Sequence, residues 1–477
     1  MTPRMAIGGF EFFSHPTRTR FPFRYGIASM TEVPHLFVRV QLLVAGREAT
    51  GLASEGLPPK WFTKNPATTF EQDLPEMLNV IGHAARLAVA IAPRPVSFFE
   101  FWQELYRQQE AWAETQSIAP LLGNLGVSLI ERAVLDGLCR ALEIPLHQVI
   151  RQNLIGIKLG DIHGELGRAA PTDLLPQLPL TSTQVRHTVG LTDPITNGDI
   201  LESERVNDGL PQDLESCIRV YGLRAFKIKL TGKPDHDLAR LSNLNVVITR
   251  ETGGDFLATL DGNENFKSSA EFRDFWERLT GAPNLKSFLK QVVVVEQPVH
   301  RDHALSESAG EVLRNWTNRP LLIIDESEAA LGDLPRALAL GYEGTSHKNC
   351  KGIVKGIANA CLLEQRRREG QRAVLTGEDL ANLGPVALLQ DLTLMSLLGI
   401  AHVERNGHHY FRGLSLWPEA WQQSVLLNHA DLYCRHEKGF ATLRVELGLL
   451  NLGSANRAPF GVRPLLNPDS FAGRIAL

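Results

Sequence analysis

The sequence predicts an α/β protein in which a TIM-type (β/α) barrel carries an α+β capping domain. Three observations lead to this prediction. Short apolar runs that end in polar residues recur through the second half of the 477-residue chain. Helical segments separate these runs, and eight such units are the number that closes a barrel. The first third of the chain has a different pattern, in which β-type and helical segments are mixed.

Composition and charge narrow the classes of function. Hydrophobic residues make up 43% and charged residues 21% of the chain, as in ordinary soluble globular proteins. A formal charge of −4 gives no reason to expect nucleic acid or an anionic membrane as a partner. The five cysteines include no CxxC pair, which favours reduced thiols over disulfides or a zinc site. Because no signal peptide or membrane span is found, we expect a cytoplasmic protein.

The predicted capping domain covers residues 1–150. A β-rich run at 36–44 is followed by two glycines, a pattern that predicts a hairpin. Apolar residues at three- and four-residue intervals then predict three helices. These helices are expected near 73–92, 99–116 and 126–143. Residues 151–185 contain three prolines and little periodicity, so we expect a linker or an insertion there.

Residues 186–415 are predicted to form the barrel. Strand-like runs occur at 187–191, 226–230, 256–261, 292–297, 321–327, just before Lys348, 373–379 and 400–406. From Lys229 onward their polar ends are 23 to 35 residues apart, which accommodates one strand, one helix and two loops. A doubly wound sheet is the alternative, but that fold does not need chemistry at the end of nearly every strand.

Lys227 and Lys229 lie at the end of the second predicted strand. Because side chains alternate along a strand, residues two apart leave it on the same side. Repulsion between neighbouring ammonium groups is expected to lower the pKa of at least one of them, which provides a neutral lysine base near pH 7. The alternative is a solvated strand end whose lysines reach outward.

Asp261, Glu296 and Asp325 each end an apolar strand, and such strand ends converge at one mouth of a barrel. A buried, isolated carboxylate is costly, so three together indicate a cation. Carboxylate oxygens favour Mg²⁺, with Mn²⁺ as an alternative. Salt bridges to the lysines are the competing interpretation. Glu326 is also a candidate ligand, but strand alternation sends its side chain and that of Asp325 to opposite faces.

The sixth unit reads GTSHKNCKGIVKG at 344–356. Lys348 is the last basic residue before the expected turn, and it would face Lys229 across the barrel. Lys351 and Lys355 are expected in the following helix, whose start could instead bind an anion through backbone amides. Other clusters carry less information. The pairs His300/His303 and His408/His409 are expected to be loop residues rather than ligands, and Cys350 lacks a base that would support a nucleophile role.

In their order along the chain these motifs resemble those of the enolase superfamily, in its muconate-lactonizing and mandelate-racemase-like branch. The resemblance rests on KIK at 227–229, LDGNENF at 260–266, EQP at 296–298, DES at 325–327 and a lysine near 348. In addition, the segment at 131–146 is similar to the one that joins this family's capping domain to its barrel.

The resemblance implies the roles of the site residues. It implies that Asp261, Glu296 and Asp325 bind Mg²⁺. It also implies Lys229 as the base, Lys227 as its modulator, Lys348 as the opposing acid/base and Asn263 as a residue near the substrate. The implied reaction is removal of a proton α to a carboxylate, which gives an enediolate held by the metal. A lyase or isomerase that acts on a small carboxylate is therefore expected, by cycloisomerisation, dehydration or racemisation/epimerisation.

The resemblance further implies substrate loops near 21–25 and 53–61, and a segment at 416–477 that returns to the capping domain. Two departures from the family pattern leave alternatives open. If the glycines after strand six are the anchor, Asn349 rather than Lys348 takes the position of the family's lysine, and Lys351 replaces a usual glycine.

Two further hypotheses come from other classes of function. One is a degenerate barrel that binds a ligand or partner without turnover. The other is a Schiff-base aldolase, which would use one lysine and need no carboxylate trio. Whether the chain forms homo-oligomers is left open by the sequence.

Overall fold

The structure is a computed structural model, and it describes residues 2–477. Its strands are β1 (Met5–Tyr25), β2 (Ala28–Val44), β3 (Arg47–Gly56), β4 (Ser182–Val189), β5 (Ala225–Lys229), β6 (Leu257–Asp261), β7 (Val292–Glu296), β8 (Leu322–Ile324), β9 (Gly344–His347), β10 (Val374–Gly377), β11 (His402–Arg405), β12 (Tyr433–Arg435), β13 (Ala441–Leu443), β14 (Leu449–Asn451) and β15 (Gly473–Ile475).

The helices accompany three sheets, the smallest of which is the pair β12–β13. They are α1 (Phe70–Ile91), α2 (Phe98–Thr115), α3 (Pro120–Leu142), α4 (Leu146–Arg151), α5 (Pro171–Leu174), α6 (Leu214–Tyr221), α7 (Pro234–Thr252), α8 (Ser269–Gly281), α9 (Lys286–Leu289), α10 (Arg301–Ala304), α11 (Glu307–Arg314), α12 (Asp333–Leu340), α13 (Ile353–Arg368), α14 (Val386–Leu397), α15 (Gly407–Tyr410), α16 (Glu419–Asn428) and α17 (Gly453–Arg457). Within residues 2–477 no helix is long and apolar enough to cross a bilayer.

The strands β4 to β11 form a closed parallel barrel. Neighbours pair in chain order, and β11 pairs with β4, with Arg405 opposite His187 in the register that closes the ring. This confirms the predicted eight-unit barrel. The first strand begins at Ser182, within the stretch expected to be a linker, and β14 adds to it as an antiparallel neighbour.

An antiparallel sheet of β15, β1, β2 and β3 forms the cap, together with α1, α2 and α3. The sequence predicted the second and third strands and these three helices, but it did not predict β1. Gly8, Gly9 and Pro16 interrupt the alternation of β1, and its pairing with β2 shifts register between Ile7 and Gly9, so a strict period of two is absent from its sequence.

Helix α3 lies between the cap sheet and the barrel. It packs closely on β3, where a Cβ atom on Gly51 would lie 2.0 Å from the carbonyl oxygen of Ala133. On the barrel side, the carboxylate of Glu131 accepts a hydrogen bond from the backbone amide of Ile353, at the start of α13. Glu131 is fully buried, so α3 fixes the cap against the unit that carries Lys348.

Candidate active site

The C-terminal ends of five consecutive barrel strands, β5 to β9, bring charged side chains to one buried mouth. The predicted residues there are Lys227 and Lys229 on β5, Asp261 on β6, Asn263 after it, Glu296 on β7, Asp325 after β8 and Lys348 after β9. None of these residues is more than 7% exposed. The predicted site residues therefore converge, and the contacts among them define the chemistry available.

Lys227 lies among four carboxylates. Its Nζ is 3.0 Å from Asp261, 2.9 Å from Glu296 and 3.1 Å from Glu404, and it also contacts Glu378. Burial alone would lower the pKa of this ammonium group, but the four anions together raise that pKa well above its ordinary value. Lysine–lysine repulsion was expected to lower the pKa of at least one of the two lysines. It does not lower the pKa of Lys227, because the carboxylates around this residue outnumber the lysines.

Lys229 points the same way as Lys227, as strand alternation predicts. Its Nζ lies 2.6 Å from Oδ2 of Asp261, the carboxylate that Lys227 also contacts. The Lys229 side chain keeps 7% of its surface exposed, against 1% for Lys227. Lys229 is thus the lysine of this strand that is nearer to the opening of the barrel.

Lys348, rather than Asn349, faces the mouth. Its Nζ is 2.6 Å from Oδ2 of Asp325 and 4.0 Å from Glu296. Asn349 instead begins a short 3₁₀ turn, and its Oδ1 lies 3.2 Å from Nε2 of His347. Burial alone would lower the pKa of Lys348, but Asp325 beside it raises that pKa above its ordinary value.

The expected place of Lys351 in the following helix is wrong. The residue lies in the 3₁₀ turn before α13, and its Nζ is 3.2 Å from Asp325 and 3.1 Å from Glu328. Lys355 does belong to α13, where it pairs with Glu328 at 3.0 Å. The Ile353 amide at the start of that helix donates to the Glu131 carboxylate, so this donor is not free for the anion considered from the sequence.

The three predicted carboxylates do not form one tight ligand sphere, because ammonium groups lie between them. Among residues 2–477, the oxygens of Asp261, Glu296 and Asp325 are not all within 4.8 Å of one another. Lys227 bridges the first two, and Lys348 lies between the second and the third. The two ammonium groups therefore supply the positive charge between these carboxylates.

The donor chemistry of the mouth fits Mg²⁺. All three carboxylates offer hard oxygen ligands. Two further acceptor atoms, Oδ1 of Asn263 and Oε2 of Glu326, are buried and have no hydrogen-bond partner within the described chain. Such orphaned oxygens are costly unless a cation or donor reaches them.

Glu326 belongs to this mouth although strand alternation assigned it to the opposite face. The strand β8 ends at Ile324, so alternation no longer determines the direction of the two residues that follow. Burial, together with the nearby charges of Asp325, Glu264 and Asp261, raises the pKa of Glu326 to about 7. Its carboxyl group is therefore a second acidic position after the fifth barrel strand.

Three charged residues of the interior were not assigned roles from the sequence. Arg186 on β4 donates to Glu378 after β10, and Thr188 donates to Glu404 on β11 at 2.6 Å. Glu378 and Glu404 lie near the ends of the predicted strand runs at 373–379 and 400–406, and both are buried against Lys227. Arg186 gave no signal, because a single arginine in a strand does not reveal its partner six barrel units later.

Two cap segments that the family resemblance indicated as substrate loops, 21–25 and 53–61, carry aromatic side chains that contact barrel residues, although 21–25 lies in β1 and 53–56 in β3. The Trp61 ring lies over the Lys348 ammonium, 5.1 Å from Nζ to the ring centroid. Arg301 fixes this loop by donating to the carbonyl oxygens of Trp61 and Phe62 at 3.0 and 3.1 Å. On the other side, Phe23 stacks on Tyr410 with ring centroids 4.1 Å apart.

Several solved structures share this architecture. No protein-family model matches the sequence, and no curated protein sequence matches it. A mandelate racemase/muconate lactonizing protein from Herpetosiphon aurantiacus is similar with a TM-score of 0.55 and 14% identity, over 93% of this chain and 98% of that chain. An N-succinyl Arg/Lys racemase from Bacillus cereus gives a TM-score of 0.56 at 16% identity, over 94% and 97%.

A third similar structure was solved with a metal. It is a dipeptide epimerase from Methylococcus capsulatus, complexed with Mg and the dipeptide L-Arg-D-Lys, with a TM-score of 0.53 and 16% identity over 93% of this chain and 99% of that chain. At these identities the likeness concerns the fold, and it confirms the architecture that the motifs predicted. The chain therefore has the capped-barrel fold of the mandelate racemase and muconate lactonizing branch of the enolase superfamily.

Proposed function

We propose that this chain catalyses Mg²⁺-dependent proton transfer at the carbon α to a carboxylate of a small molecule, with racemisation or epimerisation as the favoured outcome. One observation carries the proposal. Lys229 and Lys348 belong to the second and sixth strands, which face each other across an eight-stranded barrel, and carboxylates lie between them. The racemase and epimerase among the similar structures support the same class of reaction.

Asp261, Glu296 and Asp325 would hold the metal, with Glu326 as a further oxygen donor beside them. When bound, Mg²⁺ supplies positive charge where a substrate carboxylate becomes more negative as its α-proton leaves. Asn263 is held at this position by its own backbone, whose amide donates to Asp261 at 2.8 Å and whose carbonyl accepts from Lys64 at 2.6 Å. Its free Oδ1 is then available to a substrate N–H or O–H group.

The two lysines would divide the proton transfer between them. Lys229 in its unprotonated form accepts the α-proton, so that the C–H bond breaks and its electron pair moves toward the carboxylate. The Lys348 ammonium then donates a proton to the opposite face of the same carbon, which inverts it. In the reverse direction the two roles exchange. Lys227, held by four carboxylates, remains a fixed positive charge beneath Lys229.

Exchange of the α-proton with D₂O tests this proposal stereoisomer by stereoisomer. The substrates are libraries of 2-hydroxy acids, N-acyl amino acids and dipeptides, with Mg²⁺ present. For an active compound, Lys229→Met should abolish exchange starting from one stereoisomer, and Lys348→Met should abolish exchange starting from the other. Loss of either lysine should reduce net inversion by at least about 10²-fold, the usual contribution of a general acid or base.

Lys355→Met is the matched control, because Lys355 is a buried lysine that pairs with Glu328 on the outer side of this region. It should retain exchange in both directions. Full exchange in Lys229→Met would exclude Lys229 as the base. Exchange that needs Lys229 but not Lys348 would replace inversion by a one-base elimination or cycloisomerisation.

An inactive barrel that binds a carboxylate without turnover is the second candidate. The observation in its favour is that lysine ammonium groups already neutralise the three carboxylates. Calorimetry with Mg²⁺ and the same libraries distinguishes the two candidates. Ligand binding in the presence of Mg²⁺, with no exchange in any compound that binds, would favour the inactive barrel.

A further inference from the structure

A second cluster of ligand-type side chains lies at the seam where the barrel closes. His187 is on β4, Cys217 is on α6, the helix between β4 and β5, and His409 is on α15 after β11. Because β11 pairs with β4, residues from the two ends of the barrel meet here. Among residues 2–477, these are the only three histidine, cysteine or acidic residues whose ligand atoms all lie within 4.8 Å of one another.

We propose that His187, Cys217 and His409 form a transition-metal site that binds Zn²⁺. One thiolate and two imidazoles are the ligands that Zn²⁺ prefers, whereas Mg²⁺ prefers oxygen. This site is therefore chemically distinct from the carboxylate mouth. It also departs from what the sequence indicated, because neither the scattered cysteines nor the His408/His409 pair has the spacing of a zinc motif.

The distance between Cys217 and His409 fits a tetrahedral ion. Zn–S bonds of about 2.3 Å and Zn–N bonds of about 2.0–2.1 Å at the tetrahedral angle place sulfur and nitrogen roughly 3.6 Å apart. Sγ of Cys217 lies 3.6 Å from Nδ1 of His409. Three protein ligands would leave a fourth position for water or another small ligand, as in zinc sites that are open.

The neighbouring residue His408 supports a metal at this site. Nδ1 of His187 lies 3.1 Å from Nε2 of His408, which leaves Nε2 of His187 for the metal and gives this ligand the outer partner that metal-bound histidines usually have. His408 is 8% exposed, and its own Nδ1 has no hydrogen-bond partner within the described chain. A buried histidine network that is only partly satisfied favours an additional group at its centre.

The charged groups near the cluster are compatible with a bound cation. The nearest positive group, Arg20, donates to the His409 carbonyl at 2.6 Å, but it forms an ion pair with Asp208 at 2.6 Å. Asp193 lies on the other side, where its carboxylate accepts from the hydroxyl of Tyr410 at 2.6 Å. Burial raises the pKa of the Cys217 thiol, so metal uptake should release one proton per chain as the thiolate forms.

Cobalt(II) binding to the full chain tests the proposal. Protein that has been treated with a chelator is dialysed into excess Mg²⁺, which occupies oxygen sites, and is then titrated with Co²⁺. We expect one Co²⁺ per chain, a thiolate-to-cobalt charge-transfer band in the near ultraviolet, and the strong visible bands of four-coordinate cobalt. Zn²⁺ should abolish both signals by displacement. Wild-type protein that shows no thiolate band would overturn the proposal without any variant.

Variants assign the ligands. Cys217→Ser should lose the charge-transfer band, and His409→Gln should weaken Co²⁺ binding by more than the 10- to 100-fold that is typical of outer partners. Cys361→Ser is the matched control, since Cys361 is a buried cysteine on α13 outside the cluster, and it should keep the band. Asp325→Asn should also keep it, which separates this site from the carboxylate mouth. A band that persists in Cys217→Ser would contradict the assignment.

Discussion

At the scale of single residues, the barrel interior is dominated by the balance of charge around Lys227. Four carboxylates contact this one ammonium group, which is 1% exposed. Buried ion pairs of this kind add little net stability, but removal of one partner leaves the others uncompensated. Lys227 is therefore the positive charge that these four carboxylates share.

Replacement of Lys227 tests this role. We expect Lys227→Met to lower the free energy of unfolding by about 3–5 kcal/mol, because Glu296, Glu378 and Glu404 would remain buried without their common cation. Lys227→Arg, which keeps the charge, should lose less. Urea denaturation measures both. A loss below about 1 kcal/mol in Lys227→Met would mean that these carboxylates are protonated or solvated in the folded protein.

The convergence of the strand-end residues could be predicted from the sequence because barrel topology brings strand ends together, whereas Asn263 came only from the family resemblance and the choice between Lys348 and Asn349 stayed open. The direction of Lys227 and Lys229 needed only alternation along β5. Alternation failed for Glu326, because that residue lies beyond the end of its strand. The raised pKa of Lys227 was not predicted, because Asp261 and Glu296, which raise it most, were expected to bind a metal, and Glu378 and Glu404 are more than 150 residues away in sequence.

At the scale of secondary structure, α13 is the element whose start depends most on another part of the chain. The Glu131 carboxylate on α3 accepts from the Ile353 amide, one of the donors that a helix start leaves unpaired. Burial raises the pKa of Glu131 from its ordinary value of 4.5 to about 7. Between about pH 4.5 and about pH 7, the folded protein therefore keeps a proton on Glu131 that the unfolded chain releases.

The raised pKa of Glu131 predicts the direction in which the stability of the fold changes with pH. Because the folded-state pKa is above the unfolded one, the unfolded chain releases the proton first, and stability falls as pH rises from about 4.5 to about 7. Glu131→Gln cannot titrate. The difference in free energy of unfolding between the variant and wild type should therefore shift in favour of the variant by roughly 2–3 kcal/mol as pH rises from 5 to 8. Urea denaturation at both values measures the difference, and parallel curves for the two proteins would contradict the assignment.

The elements themselves were predicted unevenly, and for physical reasons. The helices α1 to α3 are amphipathic or wholly apolar over many turns, so their periodicity is visible. The strand β1 was missed, because its two irregularities in register break the alternation. The 3₁₀ turn that directs Lys351 toward Asp325 is only three residues long, and no periodic signal can appear over that length.

At the scale of the whole molecule, the cap and the barrel share one site. The cap contributes Trp61 over Lys348 and, through α3, the contact to α13. The barrel contributes the charged groups. A cation that binds the carboxylates in the folded chain only would therefore stabilise the entire assembly.

Thermal unfolding with and without Mg²⁺ measures this linkage. At a concentration 100 times its Kd, Mg²⁺ should stabilise the wild-type protein by about 2.7 kcal/mol and raise Tm. Asp325→Asn should lose most of this shift, because it removes one of the three anionic ligands. The exposed variant Asp235→Asn controls for nonspecific effects of the ion, since Asp235 lies on the surface at the start of α7. Equal shifts in all three proteins would exclude a site at Asp325.

The position of Trp61 has a consequence for rates. Its ring covers Lys348, and the Lys348 side chain keeps only 4% of its surface exposed. Under the proposed function, a carboxylate substrate would contact this lysine after the indole moves aside, so its arrival and the departure of product would pass through a gated, open conformation. If opening limits turnover, kcat should fall as solvent viscosity increases, and Trp61→Ala should remove that dependence while it weakens the retention of ligand. Stopped-flow tryptophan fluorescence would record the opening step directly.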